Sequence, residues 1–336
     1  MKTLPLVEAR ILAPVVGFLE SNGAKAERYL DRLRIPGEMV SSGGKIAKKQ
    51  CHDFLLNVAQ SERCDEVGFA AYQSFQLSDL GGIATAMASA KTVKEALEIF
   101  TRLANDAYEG NEYALTTDGR TARLCFHDHD YVSPGYIYSH HVTLMAYHKI
   151  IRAVADESWR PQSFCCHGRE IGPFNRVDGF EDCATKYHAD ETSLDIPVEF
   201  LSRRPLLGRG NGATIDHVAS TLTEPSNGRD TFVGSLQRLI ASRYLYGKLP
   251  TLDQIATIID VSPRTVQRCL QSEGLSYRGL LDRICFDAAC EMLATRQITI
   301  REIALELGYS GTNNFVRGFR RMTAMTPSEY RRRRLG

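Results

Sequence analysis

Two segments in the last third of the chain are written to one plan, and that repetition constrains the fold more than any other feature. The first runs from Leu252 to Leu270 and the second from Ile300 to Met322. Each opens as an amphipathic helix with a small residue, Ala256 or Ala304, where two helices must cross closely. Four residues later comes the position that must turn the chain, Asp260 or Gly308, followed by a serine, Ser262 or Ser310, suited to cap the next helix. Pro263 fits the first turn of the first copy. An apolar anchor, Val266 or Phe315, stands ten or eleven residues beyond the alanine. This pattern specifies a helix-turn-helix, written twice.

The outward face of each second helix carries side chains able to read base edges. Arg264, Gln267 and Arg268 project from the first copy, and Thr312, Asn313 and Arg317 from the second. Arginine can bond guanine O6 and N7 together, and glutamine or asparagine can do the same to adenine. Thr265, Arg320 and Arg321 are placed for phosphates, which fix register without reading sequence. Leu281, Ile284, Ala288 and Met292 recur at helical spacing between the copies, predicting a connecting helix. About eighteen residues at about 1.5 Å each span roughly 27 Å. Such a spacer sets two reading helices in adjacent major grooves, roughly 34 Å apart, on double-stranded DNA.

Charge supports a polyanion at this end alone. The net charge is only +1, from 41 basic and 40 acidic residues. Residues 231–336 hold 16 Arg and Lys against 9 Asp and Glu, a surplus of +7, so the first 230 carry −6. The surplus includes the run Arg331-Arg332-Arg333-Arg334.

The cluster Pro225-Ser226-Asn227-Gly228-Arg229-Asp230 has no apolar residue and reads as a linker, residues 225–230, between domains at 1–224 and 231–336. Gly208-Arg209-Gly210-Asn211-Gly212 reads as a loop. The N-terminal part is α+β, with a mostly helical start and a small antiparallel sheet, and the C-terminal part is all-α. Gly81-Gly82 precedes one helix, and Thr92 with Glu95 makes a capping box for another. Residues 112–117 and 121–127 read as a hairpin around Asp118-Gly119, a long helix follows over 134–154, and 162–167 and 193–196 read as strands.

The C-terminal segment resembles the DNA-binding domain of the AraC/XylS family of bacterial transcription regulators. Gly308-Tyr309-Ser310, Asn314-Phe315, Arg317, Phe319-Arg320-Arg321 and Thr326-Pro327-Ser328-Glu329-Tyr330-Arg331 carry the likeness. Asp260 and Ala324 stand where that family usually has glycine. The N-terminal part does not resemble the sugar-binding barrel of the first members. Leu80-Gly81-Gly82-Ile83, Thr92, Glu95-Ala96-Leu97 and Trp159-Arg160-Pro161 are similar to the arabinose-binding-like regulatory domain of metabolite-responsive members. The resemblance implies an activator that takes a small-molecule effector, forms a homodimer through its N-terminal domain and touches RNA polymerase.

Tyr136, His140 and Trp159 are the candidate effector contacts, and packing of the core is the alternative role for each. His127 and His129 could share one face of a strand. The interleaved Asp128 and Asp130 instead suggest a solvated loop, and the expectation is no metal and no cofactor. Nine cysteines without a CxxC pair favour reduced thiols, and the stretch Ile11–Leu19 is too short to span a membrane, so the expected location is cytoplasmic. A non-enzymatic regulator is expected. The alternatives are a DNA alkyl-transfer repair protein, for which Cys165-Cys166-His167 is the nearest motif, and an effector-independent architectural DNA binder.

Overall fold

The computed structural model describes residues 4–130, 132–168, 177–207, 231–247, 249–294 and 298–335. Two compact units divide the chain, Thr3–Arg229 and Asp230–Gly336. The expected linker at 225–230 and the loop at 208–212 lie outside the described residues.

The N-terminal unit is α+β. Its described helices are α1 (Ala13–Ser21), α2 (Glu27–Arg32), α3 (Gly37–Ser42), α4 (Lys48–Glu62), α5 (Val67–Tyr72), α6 (Gly82–Met87), α7 (Val93–Ala107) and α8 (Tyr136–Val154). Strands β1 (Leu6–Glu8) and β2 (Lys45–Ala47) pair antiparallel. A second sheet has the order β3-β4-β7-β5-β6, from β3 (Asn111–Thr117), β4 (Thr121–Asp128), β5 (Ser163–Cys165), β6 (Ala184–Lys186) and β7 (Thr192–Pro197). Its pairs are antiparallel except β5 with β6, so the expected antiparallel sheet carries one parallel edge.

The hairpin turns where the sequence places it. Asp118 Oδ1 accepts the amides of Arg120 and Thr121, and Gly119 takes φ +88°, a conformation that disfavours a side chain. Helix α8 buries 13 of its 19 residues and packs against α5, β4 and β7, so it is the central helix of the unit. Thr92 caps α7 as expected, but the Glu95 carboxylate reaches the Lys91 amide (2.7 Å) rather than that of Thr92.

Strand β4 runs to Asp128, which corrects the solvated-loop reading. Asp128 is buried, and Lys48 Nζ donates to its Oδ1 at 2.5 Å and to the Gly110 carbonyl at 2.9 Å. Burial lowers the Lys48 ammonium below its usual range, and the Asp128 carboxylate opposes that shift. The pair ties α4 to the sheet. His127 and His129 each face a glutamate, Glu191 and Glu112, at 3.0 Å.

The C-terminal unit is all-α: α9 (Phe232–Tyr244), α10 (Leu252–Ile258), α11 (Pro263–Ser272), α12 (Tyr277–Leu293), α13 (Ile300–Glu306), α14 (Thr312–Thr323) and α15 (Pro327–Leu335). Thr251 with Gln254 and Thr299 with Glu302 form matching capping boxes at α10 and α13. The connecting helix α12 buries Leu280, Ile284, Cys285, Ala289 and Leu293. Of the predicted stripe only Ile284 is fully buried, since Leu281, Ala288 and Met292 sit one position off the buried face and are half-buried. Phe315, Phe319, Ala304, Leu307 and Leu293 share the core around the second copy, edged by Tyr309, Phe286 and Tyr330.

Candidate nucleic-acid interface and effector pocket

The two helix-turn-helices correspond position for position through the turn. Ala256 and Ala304 are buried, and their carbonyls accept the amides of Val261 (3.0 Å) and Tyr309 (2.9 Å). Asp260 and Gly308 both turn the chain in the left-handed region, at φ +55° and +72°. After the turn the second copy is one residue longer. Pro263 then corresponds to Thr312, Val266 to Phe315 and Arg268 to Arg317.

That extra residue, Gly311, changes the start of the second reading helix. In the first copy Ser262 is the N-cap, its Oγ accepting the Thr265 amide at 3.1 Å. In the second, α14 begins at Thr312 behind Gly311, and Ser310 does not cap it. The Ser310 hydroxyl accepts instead from Asn314 Nδ2 at 2.7 Å.

Arg264, Gln267 and Arg268 are exposed on α11. On α14, Asn313 and Arg317 are exposed and Thr312 is half-buried. Arg317 Nη2 donates to Asn314 Oδ1 at 2.5 Å, so the guanidinium is steered by a residue that the sequence reading assigned to the family signature alone. Among the proposed phosphate contacts, Arg320 is exposed, Thr265 is half-buried with its hydroxyl 2.9 Å from Ser262 Oγ, and Arg321 faces Asp282 at 3.9 Å. The arginine run divides: Arg331 donates to the Ile298 carbonyl at 2.5 Å, whereas Arg332, Arg333 and Arg334 are exposed.

The N-terminal unit holds a half-open pocket beside α7, α8 and β3. Its walls are aromatic, from Tyr72, Phe75, Phe100, Tyr108, Tyr113 and Tyr147, completed by Ile11, Leu80, Val142, Thr143 and Ala146. Arg10 and Asp79 are its charged residues. A few polar groups in a mostly apolar wall are the lining a small-molecule site uses. Two tyrosine hydroxyls are spent on the protein itself: Tyr72 donates to the Ile11 carbonyl (2.6 Å) and Tyr147 to that of Cys125 (2.8 Å).

Tyr136, His140 and Trp159 do not line this pocket. His140 is buried with Nδ1 2.8 Å from Thr192 Oγ1 and its ring between Tyr136 and His167. Trp159 packs between His148 and Phe200. Leu80 of the Leu80-Gly81-Gly82 motif does line it, as does Tyr147 of the long helix. Arg10 was missed because its approach depends on glycines at 43 and 81, far away in sequence.

Tandem helix-turn-helices behind a separate α+β unit define the class of two-domain helix-turn-helix regulators. Residues 255–333 match the family described as "Helix-turn-helix domain". Residues 23–205, more than half of the chain, match "Arabinose-binding domain of AraC transcription regulator, N-term". The chain belongs to the AraC family of transcription regulators.

Among curated proteins it is 33% identical to the ornithine utilization regulator of Pseudomonas aeruginosa over 141 residues, 41% of this chain and 40% of that one. It is 27% identical to the transcriptional regulator VqsM of the same organism over 157 residues, 46% and 48% of the two chains. The chain spans less than half the length of these relatives. The solved structure of the transcriptional regulator CdpR from Pseudomonas aeruginosa aligns over 91% of this chain and 96% of that one, at 21% identity and a TM-score of 0.41. No helix among the described residues is long and apolar enough to cross a membrane.

Proposed function

We propose that this chain is a sequence-specific, DNA-binding transcription regulator, an activator whose N-terminal unit takes a small-molecule effector and forms the homodimer. The observation that carries the reading is the equivalence of Arg268 and Arg317, both exposed, one helical turn past the start of each second helix. One chain then reads two successive major grooves of a promoter, with Arg264, Gln267, Thr312 and Asn313 beside the two arginines. Arg320, Thr265 and, through its exposed face, Arg321 approach phosphates.

Effector binding biases the equilibrium between arrangements of the DNA-binding units, and RNA polymerase responds to the favoured one. Residues 1–224 serve as the sensing and dimerising domain, 225–230 as the linker and 231–336 as the DNA-binding domain. The protein works in the cytoplasm and carries out no catalysis. Burial raises the Cys51 and Cys166 thiols to about 12 and Cys125 and Cys183 to about 11, which disfavours the thiolate at these four positions.

Selection of binding sites from random duplexes by the full chain tests the reading. Recovery of two unlike half-sites about one helical turn apart, roughly 10 bp, is the expected result. Enrichment of no sequence over bulk DNA would overturn it.

A further inference from the structure

The pocket in the N-terminal unit has one cation, Arg10, in a mostly apolar wall, and its placement is specific. Arg10 lies in the short turn Ala9–Leu12 at the end of β1 and runs between two glycines. A Cβ at Gly43 would stand 3.1 Å from Arg10 Nε, and one at Gly81 would stand 3.8 Å from its Cδ, Nε and Nη1. Both glycines have positive φ, +96° and +56°, so neither position readily accepts a side chain.

The guanidinium donates from Nη2 to the Ser42 carbonyl at 2.9 Å. Among the described residues it has no carboxylate within ion-pair distance. An arginine has five donors in a planar fork that matches a carboxylate in two places, so donors remain for a bound anion. Asp79 is the other charge of the wall, and its Oδ2 is already engaged by the Gln76 amide at 2.8 Å. With one cation and one anion in the wall, a single negative charge on the ligand is matched by Arg10, and a second would add repulsion from Asp79.

We propose that Arg10 is the anion-recognising residue of this pocket and that the effector is a small monocarboxylate with an aromatic or short aliphatic body. The carboxylate seats on the free donors of Arg10, and the body lies among Phe75, Phe100, Tyr108 and Tyr113. The proposal rests on the reading of this unit as an effector domain and names the ligand chemistry that reading leaves open.

Isothermal titration of the full chain with phenylacetate and hexanoate, each against its own amide, tests it. The acids are expected to bind at least about tenfold tighter than the amides, as suits loss of a charge-assisted hydrogen bond. Arg10→Gln is expected to erase that difference by weakening the acids far more than the amides. The comparison of acid with amide on the unsubstituted protein needs no variant, so it stands even if Arg10→Gln folds poorly.

Equal binding of acid and amide, or an acid preference that survives Arg10→Gln, overturns the role of Arg10 and leaves the effector pocket in place. Tighter binding of phenylalanine than of phenylacetate overturns it in favour of a zwitterion bridging Arg10 and Asp79. Binding of neither acid nor amide overturns both the proposal and the reading of the pocket.

Discussion

Arg317 donates to the Asn314 side chain one turn earlier on α14, and Asn314 in turn donates to Ser310. The chain Ser310–Asn314–Arg317 fixes a long exposed side chain before any DNA arrives, which lowers the ordering cost of binding. No such partner holds Arg268 among the described residues. Asn314→Ala is therefore expected to weaken binding to the selected site by about 0.5–1.5 kcal/mol, the worth of one hydrogen bond. In a double-mutant cycle with Arg317→Ala, measured by equilibrium gel shift, the two losses should be strongly non-additive. Additive losses would show that Asn314 acts on DNA independently.

Arg268 and Arg320 separate the two ways of meeting a duplex. Arg268→Ala should cost about 1–3 kcal/mol at one base pair and relax preference there. Arg320→Ala should weaken binding to all sequences alike and reduce the slope of log affinity against log salt by about 1. Arg321 gives a smaller change in slope, because Asp282 competes for its guanidinium. A salt titration of each variant on specific and random duplexes distinguishes the three.

What could be read from the sequence was local. Ser262, Thr92, Asp118-Gly119 and the paired alanines each signal through a backbone rule spanning three or four residues, and each has the predicted place. Ser310 misled because one inserted glycine moved the helix start by one residue, and the spacing of ten or eleven to the anchor was the trace it left. Asp128 misled because its partner, Lys48, is 80 residues away. The pocket was hidden for the same reason: its walls come from positions between 10 and 147, and an aromatic residue on a helix carries no mark of which cavity it faces.

The two positions where glycine is usual differ in what they cost. Asp260 and Ala324 both lie in the left-handed region, at φ +55° and +61°. Aspartate tolerates that conformation through its short polar side chain, whereas alanine has no compensation. Ala324 also ends α14 as its C-cap, accepting the strain where helices usually place glycine. Ala324→Gly is expected to stabilise the C-terminal unit by up to about 1 kcal/mol, net of the added freedom of the unfolded chain. Asp260→Gly should gain less. Thermal denaturation followed by calorimetry checks the order, and a lower melting temperature for Ala324→Gly would contradict it.

Buried histidines give the N-terminal unit a defined response to acid. Burial pushes His52 and His141 down to about 3 and His148 to about 4, and His140 moves the same way. In the unfolded chain these imidazoles return to about 6.5, so below that pH the unfolded state binds more protons than the folded one. Stability is therefore complete above about pH 6.5 and is lost as pH falls toward 3 to 4. Each such histidine contributes a slope that rises to about 1.4 kcal/mol per pH unit once the unfolded imidazole is protonated, or about 1.6 kcal/mol between pH 6.5 and 5. His141 offers the cleanest test: it stacks on Phe69 at 4.2 Å, and among the described residues neither ring nitrogen has a hydrogen-bond partner. His141→Leu should leave stability at pH 7 unchanged or higher, because it removes two unsatisfied polar atoms. Urea unfolding between pH 5 and 6.5 should then show a mean slope lower by about 1.1 kcal/mol per pH unit, and an unchanged slope would place the acid sensitivity elsewhere.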